Sequence, residues 1–377
     1  MNPSHIYLDI HVLQTVPPSC LNRDDTGSPK TAVYGGARRA RVSSQSWKRA
    51  ARMRFNATLA ENEIATRTRK LPGLILDSVL ATHPDANPEQ AESLAAEAAG
   101  LMIGMKSVDA KKLAESKGEP QIPFTLFVPR SVVSSAAQIV ANALSSNGEL
   151  DDKALRGMLA GGHTLDIALF GRMVATAPDL NVDAACQVAH SISTHAVAQE
   201  FDFFTAVDDE AEGRDETGAA MMGLVEFSSA TLYRYATINV AALADNLGGE
   251  DVVPQACRLF TDAFVRSIPT GKQNSFAAHT PPDVVLAVAR TDQPISLVGA
   301  FEKPVVSRDG YVKESAQRLA DRVVELDTSY PADGTRRWYT ATPAAGDLSK
   351  LGGSPIPLPD LLGAVETEIG ARLGASR

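Results

Sequence analysis

The sequence predicts an α+β fold, and three observations carry that reading. Residues 5–13 alternate strictly, with Ile6, Leu8, Ile10 and Val12 on one side and His5, Tyr7, Asp9 and His11 on the other, the period of a half-buried strand. Residues 61–177 are Ala-rich and interrupted by Pro or Gly, a helical texture. Residues 224–240 return to β-branched and aromatic side chains, which suit a pleated sheet.

After the first strand, residues 14–35 hold Pro17, Pro18, Asn22, Asp24, Asp25, Gly27, Pro29 and Gly35, with Gly36 next. So turn-rich a connection, at that length, predicts a functional loop. Residues 39–42 read as a short extended piece, and Ser43 or Ser44 as the N-cap of a helix running to about residue 59. Its apolar stripe is Trp47, Ala51, Phe55 and Leu59, which leaves Gln45, Lys48, Arg49 and Arg52 on more exposed faces. Within the helical insertion, residues 89–103, 131–144 and 151–159 are the clearest segments. Later helices are expected over 252–268, 313–325 and near 361–373, with a buried-type strand at 284–289. No internal repeat stands out.

A chain of 377 residues, 44% hydrophobic and 21% charged, has room for a large core with an insertion or a second domain. No apolar run approaches membrane-helix length and no signal-peptide pattern opens the chain, so a cytoplasmic protein is expected. The three cysteines, Cys20, Cys186 and Cys257, are widely spaced and form no CxxC pair, against both a disulfide framework and a cysteine zinc site.

The net charge of −9 is unevenly spread. Residues 26–60 contain no Asp or Glu, while Lys30, Arg38, Arg39, Arg41, Lys48, Arg49, Arg52 and Arg54 give +8 and leave −17 for everything else. Charge runs on helices are commonly just solvated faces. Here the bases lack the i, i+4 acidic partners of such a face, and a Ser-rich helix start followed by Gln, Lys and Arg combines free N–H groups with long cationic donors, a way to hold phosphate. In contrast, residues 198–223 hold Glu200, Asp202, Asp208, Asp209, Glu210, Glu212, Asp215 and Glu216 against the single base Arg214. This reads as an acidic hairpin or lobe whose apolar base, Phe201, Phe203, Phe204 and Val207, exceeds what a solvated loop needs.

Catalytic signatures are weak. Gly271-Lys272-Gln273-Asn274 resembles the end of a phosphate loop but lacks the upstream Gly and the Ser/Thr after Lys; a phosphate-touching turn and an ordinary turn both remain open. His190 and His195 are not at i, i+4 spacing, and no HExxH occurs. The pairs Asp24-Asp25 and Asp208-Asp209 could serve a metal-dependent ribonuclease, although adjacent carboxylates are common in loops. No metal or cofactor is called for, and a noncatalytic protein is expected.

Seven blocks together resemble the CasC family, the guide-RNA-coating backbone subunit of the type I-E CRISPR complex Cascade. They are PSCLNRDD (18–25), YGGARRARVSSQSWKRAAR (34–52), DIALFGRM (166–173), FFTAVDD (203–209), EFSSATLYRYATINV (226–240), TGKQNSFAA (270–278) and AFEKPV (300–305). The resemblance implies an RRM-like, ferredoxin-type palm from residues 1–60 and 181–377, helical fingers inserted at 61–180, and a β-hairpin thumb at 196–223. It also implies CRISPR RNA (crRNA) as partner, further copies stacked head to tail in a helical filament, other Cascade subunits, and target DNA reached through the guide. Such a heterologous interface propagates without closing.

Carried onto matching positions, the resemblance assigns the RNA backbone to Ser43, Gln45, Lys48, Arg49 and Arg52, with Arg23 and Lys30 from the preceding loop. Met173 would pack against bases. Phe203, Phe204, Thr205 and Val207 would wedge between nucleotides, and Lys272, Gln273 and Lys303 would line the other side. Trp47 departs from the smaller apolar residue usual at its position, and Phe203 stands where a different aromatic is usual. Binding many different guides requires contacts to phosphate and ribose, the groups common to all of them. A helical protein-interaction adaptor is the reading that would predict no RNA retention.

Overall fold

The computed structural model describes residues 6–60, 63–114, 118–146, 149–161, 163–174, 176–206 and 221–375. The chain divides into two compact units, one of Met1–Arg54, Gln187–Val240 and Pro254–Arg377, the other of Phe55–Cys186 and Ala241–Val253. The strands, in chain order, are β1 (Tyr7–Ser19), β2 (Thr31–Tyr34), β3 (Ala37–Val42), β4 (Ala65–Thr68), β5 (Leu126–Pro129) and β6 (Cys186–Val188). They continue with β7 (Ser191–Ser193), β8 (Glu200–Ala206), β9 (Met221–Asn239), β10 (Val284–Arg290) and β11 (Arg336–Ala341). Helices of the first half are α1 (Ser44–Thr58), α2 (Leu71–Thr82), α3 (Pro88–Met102), α4 (Ser107–Ala114), α5 (Arg130–Ser146), α6 (Asp152–Gly157) and α7 (Leu165–Phe170). Then come α8 (Val240–Leu247), α9 (Val253–Arg266), α10 (Gln273–Phe276), α11 (Val312–Ser329) and α12 (Leu358–Gly374).

The first unit is organised by a sheet in the order β11-β10-β1-β9-β7-β3-β2, with β6 and β8 also pairing with β9. The neighbours along that path are antiparallel. β1 is central, with Ile10 opposite Ala287 of β10 and Ala236 of β9. The alternation of β1 suggests one wet face, but both are covered: Asp9 and His11 are as buried as Leu8 and Ile10. Buried polar groups need partners: Asp9 has them at both oxygens, and His11 has one at Nδ1, while its Nε2 has none among the described residues. Tyr235 donates its hydroxyl to Asp9 Oδ1 at 2.9 Å, the Ile295 N–H donates to Oδ2 at 2.9 Å, and Arg290 lies 3.2 Å from the same carboxylate. His11 Nδ1 sits 3.0 Å from the Tyr233 hydroxyl, which accepts the Leu297 N–H at 2.8 Å.

The long loop expected at 14–35 is shorter in the structure, because β1 continues to Ser19 and β2 begins at Thr31. Pro17 and Pro18 do not stop the strand: its register with β9 shifts between Val16 and Ser19, and an irregularity is where a sheet tolerates a missing N–H. On one face of the sheet, Leu13, Val284, Leu286 and Val288 join a core with Leu319, Ala320 and Val323 of α11. On the other, Trp47 of α1 and Phe264 of α9 enclose Arg234 of β9, their ring centroids 3.8 and 4.6 Å from its guanidinium carbon.

The second unit packs Leu71, Ile75 and Val79 of α2, Ala91, Ala95, Ala98 and Ala99 of α3, and Val133, Ala136, Ala137 and Val140 of α5 around one core. The small side chains of α3 permit close approach: a methyl group on Gly100 would lie 2.8 Å from the Ala110 Cβ of α4. The sequence predicts a mainly helical insertion here, and β4 and β5 add a two-stranded antiparallel sheet to it. Among the described residues no helix is long and apolar enough to cross a membrane.

Candidate nucleic-acid interface

The acid-free segment folds as β2, the Gly35-Gly36 turn, β3 and all of α1. Gly35 has φ 56°, and a Cβ there would fall 1.6 Å from the Glu302 carbonyl oxygen; only glycine allows that approach. α1 begins after Ser43, whose carbonyl and hydroxyl both face the Ser46 N–H, at 3.0 and 3.4 Å. Ser43 is nearly buried, and its own N–H donates to Asn22 Oδ1 at 2.9 Å, so the cap also ties down the preceding loop. Trp47, Ala51 and Phe55 are buried as the stripe requires; Leu59 lies just past the helix and is half-buried. Gln45 and Arg49 are exposed, Lys48 and Arg52 half-exposed.

Beneath this helix lies a polar lattice that the charge pattern did not reveal. Trp47 donates its indole N–H to Ser191 Oγ at 2.9 Å, Arg234 donates to Gln14 Oε1 at 2.6 Å and to the Phe264 carbonyl, and Gln14 donates to the Thr280 carbonyl at 2.7 Å. Arg234 is fully buried, and burial brings its pKa down to about 9, still charged at neutral pH. The segment's own bases also separate. Arg39 is fully buried and donates to the carbonyls of Ser193, Phe301 and Glu302 at 2.9, 2.8 and 3.1 Å. It is a structural tie, unavailable to phosphate. Arg54 lies 3.9 Å from Asp262.

The loop after β1 keeps its shape through Lys30 N–H to Asn22 O and Arg41 N–H to Lys30 O, both 2.9 Å. Arg23 projects from it exposed, and Lys30 is half-exposed. Asp24 accepts the Thr26 N–H, the Thr26 hydroxyl and the Ser28 N–H at 2.9, 2.7 and 3.0 Å. These bonds, the Thr26 hydroxyl foremost, lower its pKa. Its Oδ1 is thus occupied in its own turn, and no group of three or more metal-ligating side chains occurs among the described residues.

The Gly-Lys turn packs onto that loop. A Cβ on Gly271 would meet the Leu21 and Cys20 carbonyl oxygens at 2.3 and 2.6 Å, and Lys272 takes the left-handed φ of 46°. Arg49 reaches Thr270 Oγ1 at 3.5 Å, so helix, loop and turn meet, and Arg23, Arg49 and Lys272 come from three converging segments. Gln273 sits differently from a ligand-seeking side chain: its Oε1 accepts the Ala278 N–H at 2.8 Å and its Nε2 donates to the Pro269 carbonyl at 3.0 Å. The amide closes the turn. Lys303 is exposed, in the segment that Arg39 binds through Glu302.

β8 and β9 form a hairpin with Phe203 opposite Leu224, Phe204 opposite Gly223 and Thr205 opposite Met222. Phe204 lies over Gly223, where a Cβ would meet its ring at 2.3 Å. Phe201, Phe203, Met222 and Leu224 share a face and are 60, 63, 66 and 59% exposed, far beyond the usual fate of such side chains. Val207, Asp208 and Asp209 lie outside the described residues. Met173 belongs to the second unit, where Arg172 is buried and donates to the Leu159 and Leu180 carbonyls while Met173 is 77% exposed.

One contact escaped the sequence reading. Arg41 Nη1 lies 3.1 Å from His190 Nδ1; the sequence presents Arg41 only as charge and His190 only as a metal-ligand candidate.

The fold and site together define an α+β protein with a large antiparallel sheet, a cationic edge and an exposed apolar hairpin. Residues 8–361 match the profile of the CT1975-like protein family, and the chain belongs to that family. It is also similar to a chain in a solved structure described as "CRISPR RNA-guided surveillance complex, pre-nicking", at 32% identity and a TM-score of 0.84 over 97% of this chain and 100% of that one. A chain of a second "CRISPR RNA-guided surveillance complex" is similar at 30% identity and a TM-score of 0.77, over 96% of this chain and 99% of that one. No curated protein sequence matches the chain.

Proposed function

We propose that this protein is a noncatalytic crRNA-binding backbone subunit of a Cascade complex of type I-E. Copies of it polymerise head to tail along the guide spacer and present bases for pairing with target DNA in antiviral defence. The observation that carries the reading is the end-to-end likeness to a chain of an RNA-guided surveillance complex, 97% of one chain against 100% of the other at 32% identity. Local geometry supports it. The strands β10-β1-β9-β7 stand in chain order fourth, first, third, second, with β1 antiparallel between β9 and β10. That is the ferredoxin-type order expected of an RRM-like palm.

The chemistry suits a guide of any sequence. Arg23, Lys48, Arg49, Arg52 and Lys272 are charged donors on a framework fixed by Trp47, Arg234 and Gly271, and so address phosphates whatever the bases. The exposed aromatic face of β8–β9 suits intercalation or a neighbouring copy, and bases left free can pair with DNA, delegating specificity to base pairing. Purification from cells expressing a CRISPR array tests the reading. The expected result is bound RNA of defined length, protected at regular intervals by successive copies; protein free of RNA at low salt would refute it.

A further inference from the structure

His190 stands between β6 and β7 with its ring against Arg41 of β3, and Lys30 lies beside them because the Arg41 N–H donates to the Lys30 carbonyl at 2.9 Å. A guanidinium can only donate. The 3.1 Å contact therefore makes His190 Nδ1 an acceptor, which fixes the neutral ring with its proton on Nε2. The groups acting on the ring are both cationic, Arg41 and Lys30, and among the described residues neither base has a carboxylate within 4.0 Å. Arg41 Nε also donates to the Thr31 carbonyl of β2 at 3.2 Å, which holds the guanidinium in place while, among the described residues, its Nη1 is committed only to the imidazole.

We infer that Lys30, Arg41 and His190 form a proton-linked phosphate site, in which an RNA phosphodiester replaces the Arg41–His190 hydrogen bond. The inference rests on the guide-RNA reading above and adds two ligands to it. Protonated imidazole cannot accept from Arg41, so the two groups repel once His190 takes up a proton at Nδ1. An anion between them reverses the balance: the Arg41–Nδ1 bond breaks, and Arg41 and His190 each donate to a phosphate oxygen, with Lys30 as the third cation. Without the anion, burial first and then Arg41 and Lys30 hold the His190 pKa below its ordinary value, the direction that makes proton uptake accompany binding. His195 is no substitute: its Nε2 accepts the Thr231 N–H at 3.1 Å, and its ring stacks on Tyr311 at 3.7 Å.

The test uses the full chain and a mixed-sequence single-stranded RNA, with affinity measured by fluorescence anisotropy from pH 5.5 to 8 at fixed ionic strength. Wild-type affinity should rise as pH falls below neutrality, by at most about tenfold per unit for one proton, and His190→Gln should flatten that rise while retaining binding at pH 8. Arg41→Ala should weaken binding throughout. Imidazole NMR gives an independent reading, with the His190 pKa below the usual range in the free protein and above it with RNA. A His190→Gln slope equal to wild type, or a His190 pKa unmoved by RNA, overturns the proton-linked site alone. Absence of RNA binding by wild type at every pH overturns the guide-RNA reading and this site with it.

Discussion

The start of α1 and the β8–β9 hairpin are both proposed to touch RNA, and they are built in opposite ways. The helix start presents cations on a scaffold whose anchors are fully buried: Trp47 and Arg234 at 0% exposure, hydrogen-bonded to Ser191 and Gln14. The hairpin presents Phe201, Phe203, Met222 and Leu224, each more than half exposed, with no comparable anchor on that face among the described residues. Cations tolerate water, so a phosphate site can be complete and rigid before its ligand arrives. An exposed apolar face is satisfied only when something covers it. One region is preorganised; the other is waiting for a partner.

The largest effect that would test this contrast is Trp47→Ala. It removes a fully buried ring that packs on a charged guanidinium and donates to Ser191, and should cost about 3–5 kcal/mol in urea unfolding. RNA affinity should fall with it, although Trp47 is itself inaccessible. A loss under 1 kcal/mol (roughly the cost of an ordinary surface change) would mean that the helix start is not held from below.

Next in size is Phe203→Ser with Leu224→Ser, a directly opposed pair. Because both are already exposed, melting should shift little. Association of copies on a long RNA should weaken on the order of a hundredfold, since fully burying each such side chain is worth about 1.5–3 kcal/mol and about three-fifths of each is still exposed. Sedimentation on RNA spanning one copy against several separates the two outcomes: equal loss at both lengths would make the hairpin an RNA contact only. Lys48→Ala with Arg52→Ala should do the converse. Binding should weaken uniformly across spacer sequences, about tenfold at moderate salt, with the salt slope shallower by about 1.4 if each residue neutralises one phosphate on a single strand. A sequence-dependent loss would show that these side chains read bases.

How much of this was legible in the sequence follows from what each signal reports. Period-2 alternation located β1 but misjudged its polar face, because alternation cannot distinguish a face covered by water from one covered by Tyr233, Tyr235 and Arg290. The acid-free run marked the cationic edge, yet counting charges treated Arg39 and Arg49 alike; only the fold shows the first tied to three carbonyls and the second at the surface. Gln273 fits a ligand motif by position, but its amide closes its own turn. Arg41 and His190 are 149 residues apart, and no local pattern could have joined them.

The face of β1 opposite α1 offers the smallest effect and a sharp sign. Burial raises the Asp9 pKa to about 6, while burial and then Arg290 lower that of His11 to about 3. In the unfolded chain these groups titrate near 4 and 6.5. Between those limits the folded state holds a proton on Asp9 that the unfolded state lacks, so this carboxyl's contribution to stability declines as pH rises towards 6. The unfolded state meanwhile protonates His11 where the folded state does not, so that contribution declines as pH falls below 6.5. From pH 6 to 5 the two oppose each other, each by about 1 kcal/mol per unit, and the wild-type stability curve should be nearly flat on their account. Asp9→Asn keeps an oxygen for the Ile295 N–H and leaves His11 unopposed, so its urea midpoint should fall as pH drops from 6 to 5. His11→Asn leaves Asp9 unopposed, and its midpoint should rise over the same interval. Parallel slopes in the two variants would show that the polar side of β1 does not stay in its buried state through that range.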